Sequence, residues 1–255
     1  ARLVRFLDDT ALTEHRIVNV AAQVIAENRL RAYVPEPLAL DALKLYTDEG
    51  YHAWFTARAC QAIRVVFAIP ASEDEPSAKI AGLEALAAQA PPAWRDLTWF
   101  MIGFVAETMV TKAIVDVMRN SAQSAIQRML LVHLEDEWVH AKYFAQLFRL
   151  IWPGLDADAR RHFGQLLPRI MAAFHVHDEP FLRRILAHAG LDAAACNKAS
   201  GRLAGDPARH ASRLRAACAN TLQVLQGCGV FGESDAREAF IRAGLLERGA
   251  SVEPA

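Results

Sequence analysis

Two segments of the chain carry the same Asp-Glu-x-x-His pattern: Asp48-Glu49-Gly50-Tyr51-His52 and Asp136-Glu137-Trp138-Val139-His140. On a helix, residues three apart share a face, so each pattern offers one carboxylate and one imidazole to the same point in space. A single pair is weak evidence of a site. Two pairs, accompanied by lone glutamates at Glu14 and Glu107 on separate apolar stripes, supply the donors of a dimetal carboxylate centre. Four carboxylates against two divalent cations leave a neutral cluster, with neutral imidazoles completing the coordination.

The elements that must position these groups are long helices. Glu14 shares a stripe with Ile17, Val18, Ala21 and Ile25, and Glu49 and His52 share one with Leu45, Ala53, Thr56, Cys60 and Ile63. Glu107 lies among Phe100, Gly103, Phe104, Val110, Ile114 and Met118. His133, Glu137 and His140 lie among Ile126, Leu130, Phe144 and Phe148. Spacings of three and four place each set on one helical face. Isolated buried carboxylates cost several kcal/mol each, so four of them need a shared compensating charge. The predicted helices run from about Thr10, as hydroxyl cap, to Leu30; Leu38 to Phe67; Trp94 to Asn120; and Ser121 to Ile151. A polar loop and a short helix around Lys79 to Gln89 connect the second and third. After Asp156 four or five shorter helices are expected, broken near Pro168, Pro180, Gly190, Gly205 and Gly229. The fold class is therefore all-α, a ferritin-like four-helix bundle with additional C-terminal helices. It reads as a single domain over 1–255, with residues 1–155 as the dimetal-binding core and 156–255 as packing helices.

Composition narrows the function. The chain has 255 residues, 53% of them hydrophobic, enough apolar material for a packed core. A formal charge of -1 provides no field for a nucleic-acid backbone, and no stretch reads as a membrane span. Neither nucleic acid nor membrane is an expected partner. Cys60, Cys196, Cys218 and Cys228 form no Cys-x-x-Cys pair, which fits a reducing, cytoplasmic setting.

His133 precedes Glu137 by four residues on the same face. Spacing alone leaves open whether it is a seventh ligand or a histidine packed one turn above the site. The ordered set Glu14, Glu49-x-x-His52, Glu107, His133-x-x-x-Glu137-x-x-His140 resembles that of the diiron N-oxygenases typified by the p-aminobenzoate N-oxygenase AurF. The resemblance covers about the first 150 residues, and its specific part is the third histidine, which it makes a metal ligand. It implies a cytoplasmic homodimer that uses two iron ions and dioxygen to oxidise an amine nitrogen to hydroxylamine, nitroso or nitro products, in natural-product biosynthesis. Manganese suits the same oxygen and nitrogen donors. No flavin or iron-sulfur motif is present, so electrons are expected from a separate reductase or a small reductant.

Metal-bound imidazoles usually donate their other N–H to a carboxylate. Asp48 is therefore expected beside His140, and Asp136 beside His52. Thr56, Phe104, Val110 and Thr111, one turn from the ligands, are candidate pocket walls. Gly50 is a candidate for making room beside the cluster. His175-Val176-His177-Asp178-Glu179 reads as a helix-terminal loop, because histidines two apart do not share a helical face. His15 is expected to be exposed. The arginines Arg160, Arg161, Arg169, Arg183 and Arg184 read as solvated, and Trp54, Trp94, Trp99, Trp138 and Trp152 as packing or interface residues. Competing readings keep the diiron site but hydroxylate, desaturate or cleave at carbon, make the protein an iron-handling ferritin relative, or leave a metal-free helical interaction module.

Overall fold

The computed structural model describes residues 2–69, 77–120, 124–176, 179–188, 190–204 and 207–248; for some helical residues, Val110 to Ala113 among them, it describes the backbone only. The chain is all-α, with a ferritin-like core. The first helical rod consists of α1 (Arg2–Thr13), a π-helical turn (Glu14–Val18) and α2 (Asn19–Ala26). It packs along α3 (Glu36–Val66), which starts behind Pro35 with Pro37 in its first turn, where a missing N–H costs nothing. After α4 (Ala78–Ala88), α5 (Arg95–Asn120) runs beside α6 (Ser124–Gly154), and α2 crosses onto α5. Tyr143 on α6 donates its hydroxyl to the Leu38 carbonyl at 2.6 Å, tying α6 to the start of α3.

The remaining helices are α7 (Ala157–Phe174), α8 (Glu179–His188), α9 (Ala193–Ala204), α10 (Pro207–Ala217), α11 (Ala219–Gly227) and α12 (Ser234–Arg242). α4, α7, α10 and α11 lie against α5, and α12 lies against α7. One buried apolar cluster runs from Ile17 through Phe100, Phe148 and Phe163 to Leu245, so it continues from the four long helices into the C-terminal ones. The outer sides of α3 and α6 remain open. Tyr51, Trp54, Trp138 and Val139 are all more than half exposed there. Trp152, by contrast, is buried against Phe148.

Several sequence expectations change. The first rod starts at Arg2 rather than Thr10; the Thr10 hydroxyl donates back to the Phe6 carbonyl at 2.9 Å and caps nothing. That rod also ends at Ala26, short of Leu30, because Asn28 takes a left-handed φ of 57°. Pro168 does not break α7. It is buried inside the helix, where packing outweighs the hydrogen bond its missing N–H cannot make. Among the described residues six α-helices follow Asp156, because α10 and α11 are separate at Cys218. Gly205 lies outside the described residues, as do 70–76, where the polar loop was expected.

Two helical glycines behave differently. A Cβ on Gly103 would lie 2.5 Å from Ala21 Cβ and 3.0 Å from Phe144 Cε1, so the missing side chain is what lets α2 and α5 approach one turn from Glu107. Gly50 is exposed, and a Cβ there would meet only Asn19 Nδ2 at 3.9 Å. It makes no room beside the cluster. Gly103→Ala is thus expected to destabilise the protein by about 1–3 kcal/mol through overpacking. Gly50→Ala should stabilise it by about 0.5–1 kcal/mol through helix propensity. Denaturant midpoints at constant m-value check both.

Candidate metal centre

The four long helices bring Glu14, Glu49, His52, Glu107, His133, Glu137 and His140 together inside the bundle, each no more than 3% exposed. Donor atoms of Glu49, His52, Glu137 and His140 lie within 4.8 Å of one another, as do those of Glu14, His133 and Glu137, and those of Glu14, Glu49 and Glu107. Glu14, Glu49 and Glu137 each belong to two of these groups, which makes them overlapping parts of one cluster. The π-turn beginning at Glu14 sets that residue's angle. It inserts an extra residue into the helical ladder, a distortion frequent at functional sites, and Arg16 fastens it to α4 through a two-pronged hydrogen bond to Glu84, both arms 2.9 Å.

Each of two imidazoles has one inward and one outward nitrogen. His52 Nδ1 faces Glu49 and Glu137 at 3.4 and 3.3 Å, while its Nε2 lies 3.2 Å from Asp136 Oδ2. His140 Nδ1 faces Glu49 at 2.6 Å and Glu107 at 3.6 Å, and its Nε2 lies 3.3 Å from Asp48 Oδ2. Asp48 thus stands beside His140 and Asp136 beside His52, each carboxylate crossing between α3 and α6. His133 Nε2 sits 2.9 Å from Glu137 and 3.5 Å from Glu14. Its ring is 4.1 Å from that of His52, and Phe55 packs edge-on against both.

Despite this crowding, both oxygens of Glu49 and Glu137, Oε1 of Glu14, Oε2 of Glu107 and the inward Nδ1 atoms of His52 and His140 make no hydrogen bond. Both nitrogens of His133 are in the same position. Buried polar atoms left unpaired cost about 1–3 kcal/mol each, more when charged. A concentration of them in one place is what cation ligands look like before the cation is counted. The electrostatics agree. Burial, helped by Glu14 and Glu137, pushes Glu49 well above the usual carboxylate range, and burial with Glu137 and Glu49 does the same to Glu107. Burial opposes charge on His133, but Glu137 and Glu14 outweigh it and push the imidazole up to about 10. Glu107, Glu137 and Asp48 overcome burial at His140 and push it up to about 9. Glu137 moves the other way: burial opposes its charge, yet His133 and His52 hold it below the usual range. Protons supply the positive charge that the carboxylates demand. These donors, oxygen and nitrogen with no thiolate, fit a pair of iron or manganese ions.

A family model described as p-aminobenzoate N-oxygenase AurF matches residues 2–229. The chain belongs to the AurF family. Members of this family are diiron oxygenases, and the buried Glu/His cluster is compatible with such a centre. A search of curated proteins finds no match. No described helix is long and apolar enough to cross a membrane.

Beside the cluster lies a cavity of about 610 Å³ that reaches Glu14 and Glu107. Its walls come from α1, the π-turn, α4, α5, the end of α7 and α10. Thr56 and Phe104, candidate walls in the sequence, are fully buried and are not among the residues that line it; Phe104 stacks on Phe148. The side chains of Val110 and Thr111 lie outside the described residues. The charged lining residues Asp9, Lys79 and Arg213 were not singled out in the sequence, because each stands in an ordinary surface pattern and only the tertiary fold brings them to one cavity. Of the rejected candidates, His15 is exposed, and the His175 tract includes His177 and Asp178, outside the described residues.

Two outcomes follow for the AurF-family cluster. Asp136→Ala and Asp48→Ala should each lower metal affinity or turnover about 10- to 100-fold, as loss of an imidazole's outer partner does; metal titration and steady-state rates check this. The metal-free protein should also lose stability with rising pH. His133 and His140 are raised in the fold, so their contribution is complete below about 6.5 and is lost as pH climbs through 9 and 10. Raised Glu49 and Glu107 act in the same sense, and lowered Glu137 matters only toward acid. Melting temperatures should therefore fall between pH 6.5 and 10 without metal, and fall less with metal bound.

Proposed function

We propose that this protein is an O2-dependent diiron N-oxygenase that converts a small-molecule amine to its hydroxylamine, nitroso or nitro product. The observation that carries this reading is the set of seven buried donors whose inward atoms lack hydrogen bonds, in a chain of the AurF family. In this reading Glu14, Glu49, His52, Glu107, His133, Glu137 and His140 hold two iron ions. When bound, the metal pair supplies reductive activation of dioxygen and delivery of one oxygen atom to nitrogen. Each insertion consumes one O2, two electrons and two protons and releases one water, and the electrons come from an external donor.

The chain's own residues do the rest. Asp48 and Asp136 accept the Nε2 protons of His140 and His52, which fixes the tautomer with Nδ1 free and turned inward. His133 contributes a third neutral nitrogen, making the two metal positions unequal without changing cluster charge. Phe6, Val18 and Met109 give the cavity beside Glu14 and Glu107 a low-polarity wall. A dry wall limits loss of oxidising equivalents to solvent. The exposed aromatic and aliphatic side chains on α3 and α6, Tyr51, Trp54, Trp138 and Val139 among them, support a homodimer that covers this face. The free cysteines, three of them buried, support a cytoplasmic enzyme, and natural-product biosynthesis is the setting this reading gives it.

Anaerobic iron loading, oxygen exposure and mass spectrometry over a panel of aryl and aliphatic amines test the reading. Two irons per chain and products heavier by oxygen on nitrogen are expected. His133→Ala should retain its fold, lose one nitrogen ligand spectroscopically and lose most N-oxygenation. One zinc with no second site after iron reconstitution overturns the diiron assignment. Oxidation at carbon alone replaces the N-oxygenase reading with a hydroxylase.

A further inference from the structure

The chamber beside Glu14 and Glu107 carries a sulfur atom that metal coordination does not use. Met109 follows Glu107 by two residues on α5, and both side chains line the same cavity. Among the described residues it is the one thioether on that wall. Its polar partner is a second sulfur. The thiol of Cys218, at the junction of α10 and α11, donates to Met109 Sδ at 3.6 Å. Cys218 is sealed and Met109 only 7% exposed, and both belong to the continuous apolar cluster. The pair therefore sits where the packed core meets the chamber.

The two sulfurs differ in what can oxidise them. A thiol reacts as its thiolate. Burial pushes Cys218 up to about 12, so it stays protonated and serves as a weak donor. A thioether has no proton to lose, and its lone pair is available at any working pH. The other described methionines are placed differently. Met101 and Met171 are fully buried in the core, and the half-buried Met129 packs against the Val4, Leu7 and Cys60 cluster, away from the chamber lining.

We infer that Met109 is an oxidation site built into the chamber, where it captures hydrogen peroxide that escapes the metal centre and becomes the sulfoxide. This rests on the proposed dioxygen-using diiron centre and adds a modification site to it. The peroxide forms when dioxygen takes up two electrons from the external donor and two protons without oxidising substrate. The Met109 sulfur attacks one peroxide oxygen and the O–O bond breaks. Sulfur is oxidised by two electrons, and the other oxygen leaves as water with both hydrogens. Confinement gives Met109 a higher local concentration of the reagent than any outer methionine meets. The product sets a polar oxygen into the apolar seam between α5 and α11, one residue from the Thr108–Thr221 contact, and so weakens that seam. Methionine sulfoxide reductases reverse this oxidation, here when the seam opens.

Peptide mass spectrometry tests the inference in two settings. In metal-free protein given hydrogen peroxide, Met109 and Met129 should each gain one oxygen about tenfold or more faster than Met101 and Met171, which wait for local opening. Cys218 should still titrate as a thiol after denaturation. In iron-loaded protein given dioxygen and a reductant, catalase clears peroxide from bulk water but is too large to enter the chamber. Met109 should then gain oxygen while Met129 is spared. The melting temperature should fall with the oxidised fraction, and Met109→Leu, a swap that conserves volume, should hold its melting temperature under the same treatment. An unmodified Met109 in either setting, oxidation of Met129 alongside Met109 despite catalase, or oxidation of Cys218 ahead of Met109 overturns the inference. Amine products separate this from the parent reading. Nitrogen oxidation with Met109 intact leaves the N-oxygenase and removes the oxidation site, and oxidised Met109 with no oxidised amine does the reverse.

Discussion

Four glutamates inside a helical bundle are an electrostatic problem before they are a site. Glu14, Glu49, Glu107 and Glu137 all point inward and are all shielded from water. In a low-dielectric interior such a group cannot stay fully ionised without positive charge at hand. In the absence of a cation this demand pushes up the proton affinity of Glu49, Glu107, His133 and His140. Two divalent ions held by these side chains would meet the same demand. Nearly every notable local feature can be traced to this constraint. The π-turn aims Glu14, the bare Gly103 lets α2 and α5 close on each other, and the crossed aspartates orient His52 and His140.

The centre has two unlike sides. Toward α3 and α6 it is one side chain from the surface, because Asp136 is 44% exposed and Asp48 26%. Toward α1 and α5 it opens on a chamber also lined by α4, the end of α7 and α10. An aspartate at each outer imidazole holds the rings of His52 and His140 even though bulk water is close. On the other side Phe6, Val18 and Met109 give the wall beside Glu14 and Glu107 an apolar stretch. Ring orientation and the apolar wall are thus provided by different helices.

How much of this was legible in the sequence depended on whether a signal was periodic. The seven donors were legible because carboxylates and imidazoles on apolar stripes are conspicuous, and the stripes survive the π-turn: Glu14, Ile17, Val18, Ala21 and Ile25 are all buried. The reciprocal Asp-Glu-x-x-His patterns also made the partners of His52 and His140 legible before any coordinates. Features that arise from packing were not. Thr10 looks like a cap but bonds back within a longer helix, and Pro168 looks like a breaker but is held inside α7 by its neighbours. Lys79 and Arg213 look like ordinary surface cations, and nothing in their local spacing announces a cavity. Two residues far apart in sequence become one wall only through the docking of α4 and α10 onto the bundle.

That docking separates two kinds of variation. Every donor of the cluster lies between residues 14 and 140, whereas α10 and the end of α7 form part of the chamber and contribute no donor. The C-terminal helices are nonetheless fixed to the core, as by the 2.7 Å hydroxyl contact between Thr108 on α5 and Thr221 on α11. A chain built this way can exchange residues on α10 and reshape its chamber while the buried Glu/His cluster stays intact. The seam at Thr108 and Thr221 has a different tolerance, since its hydroxyls are buried and satisfy each other. Diversification is therefore cheapest on the chamber face of α10 and most constrained one helix later, where α11 is bolted to the helix that carries Glu107.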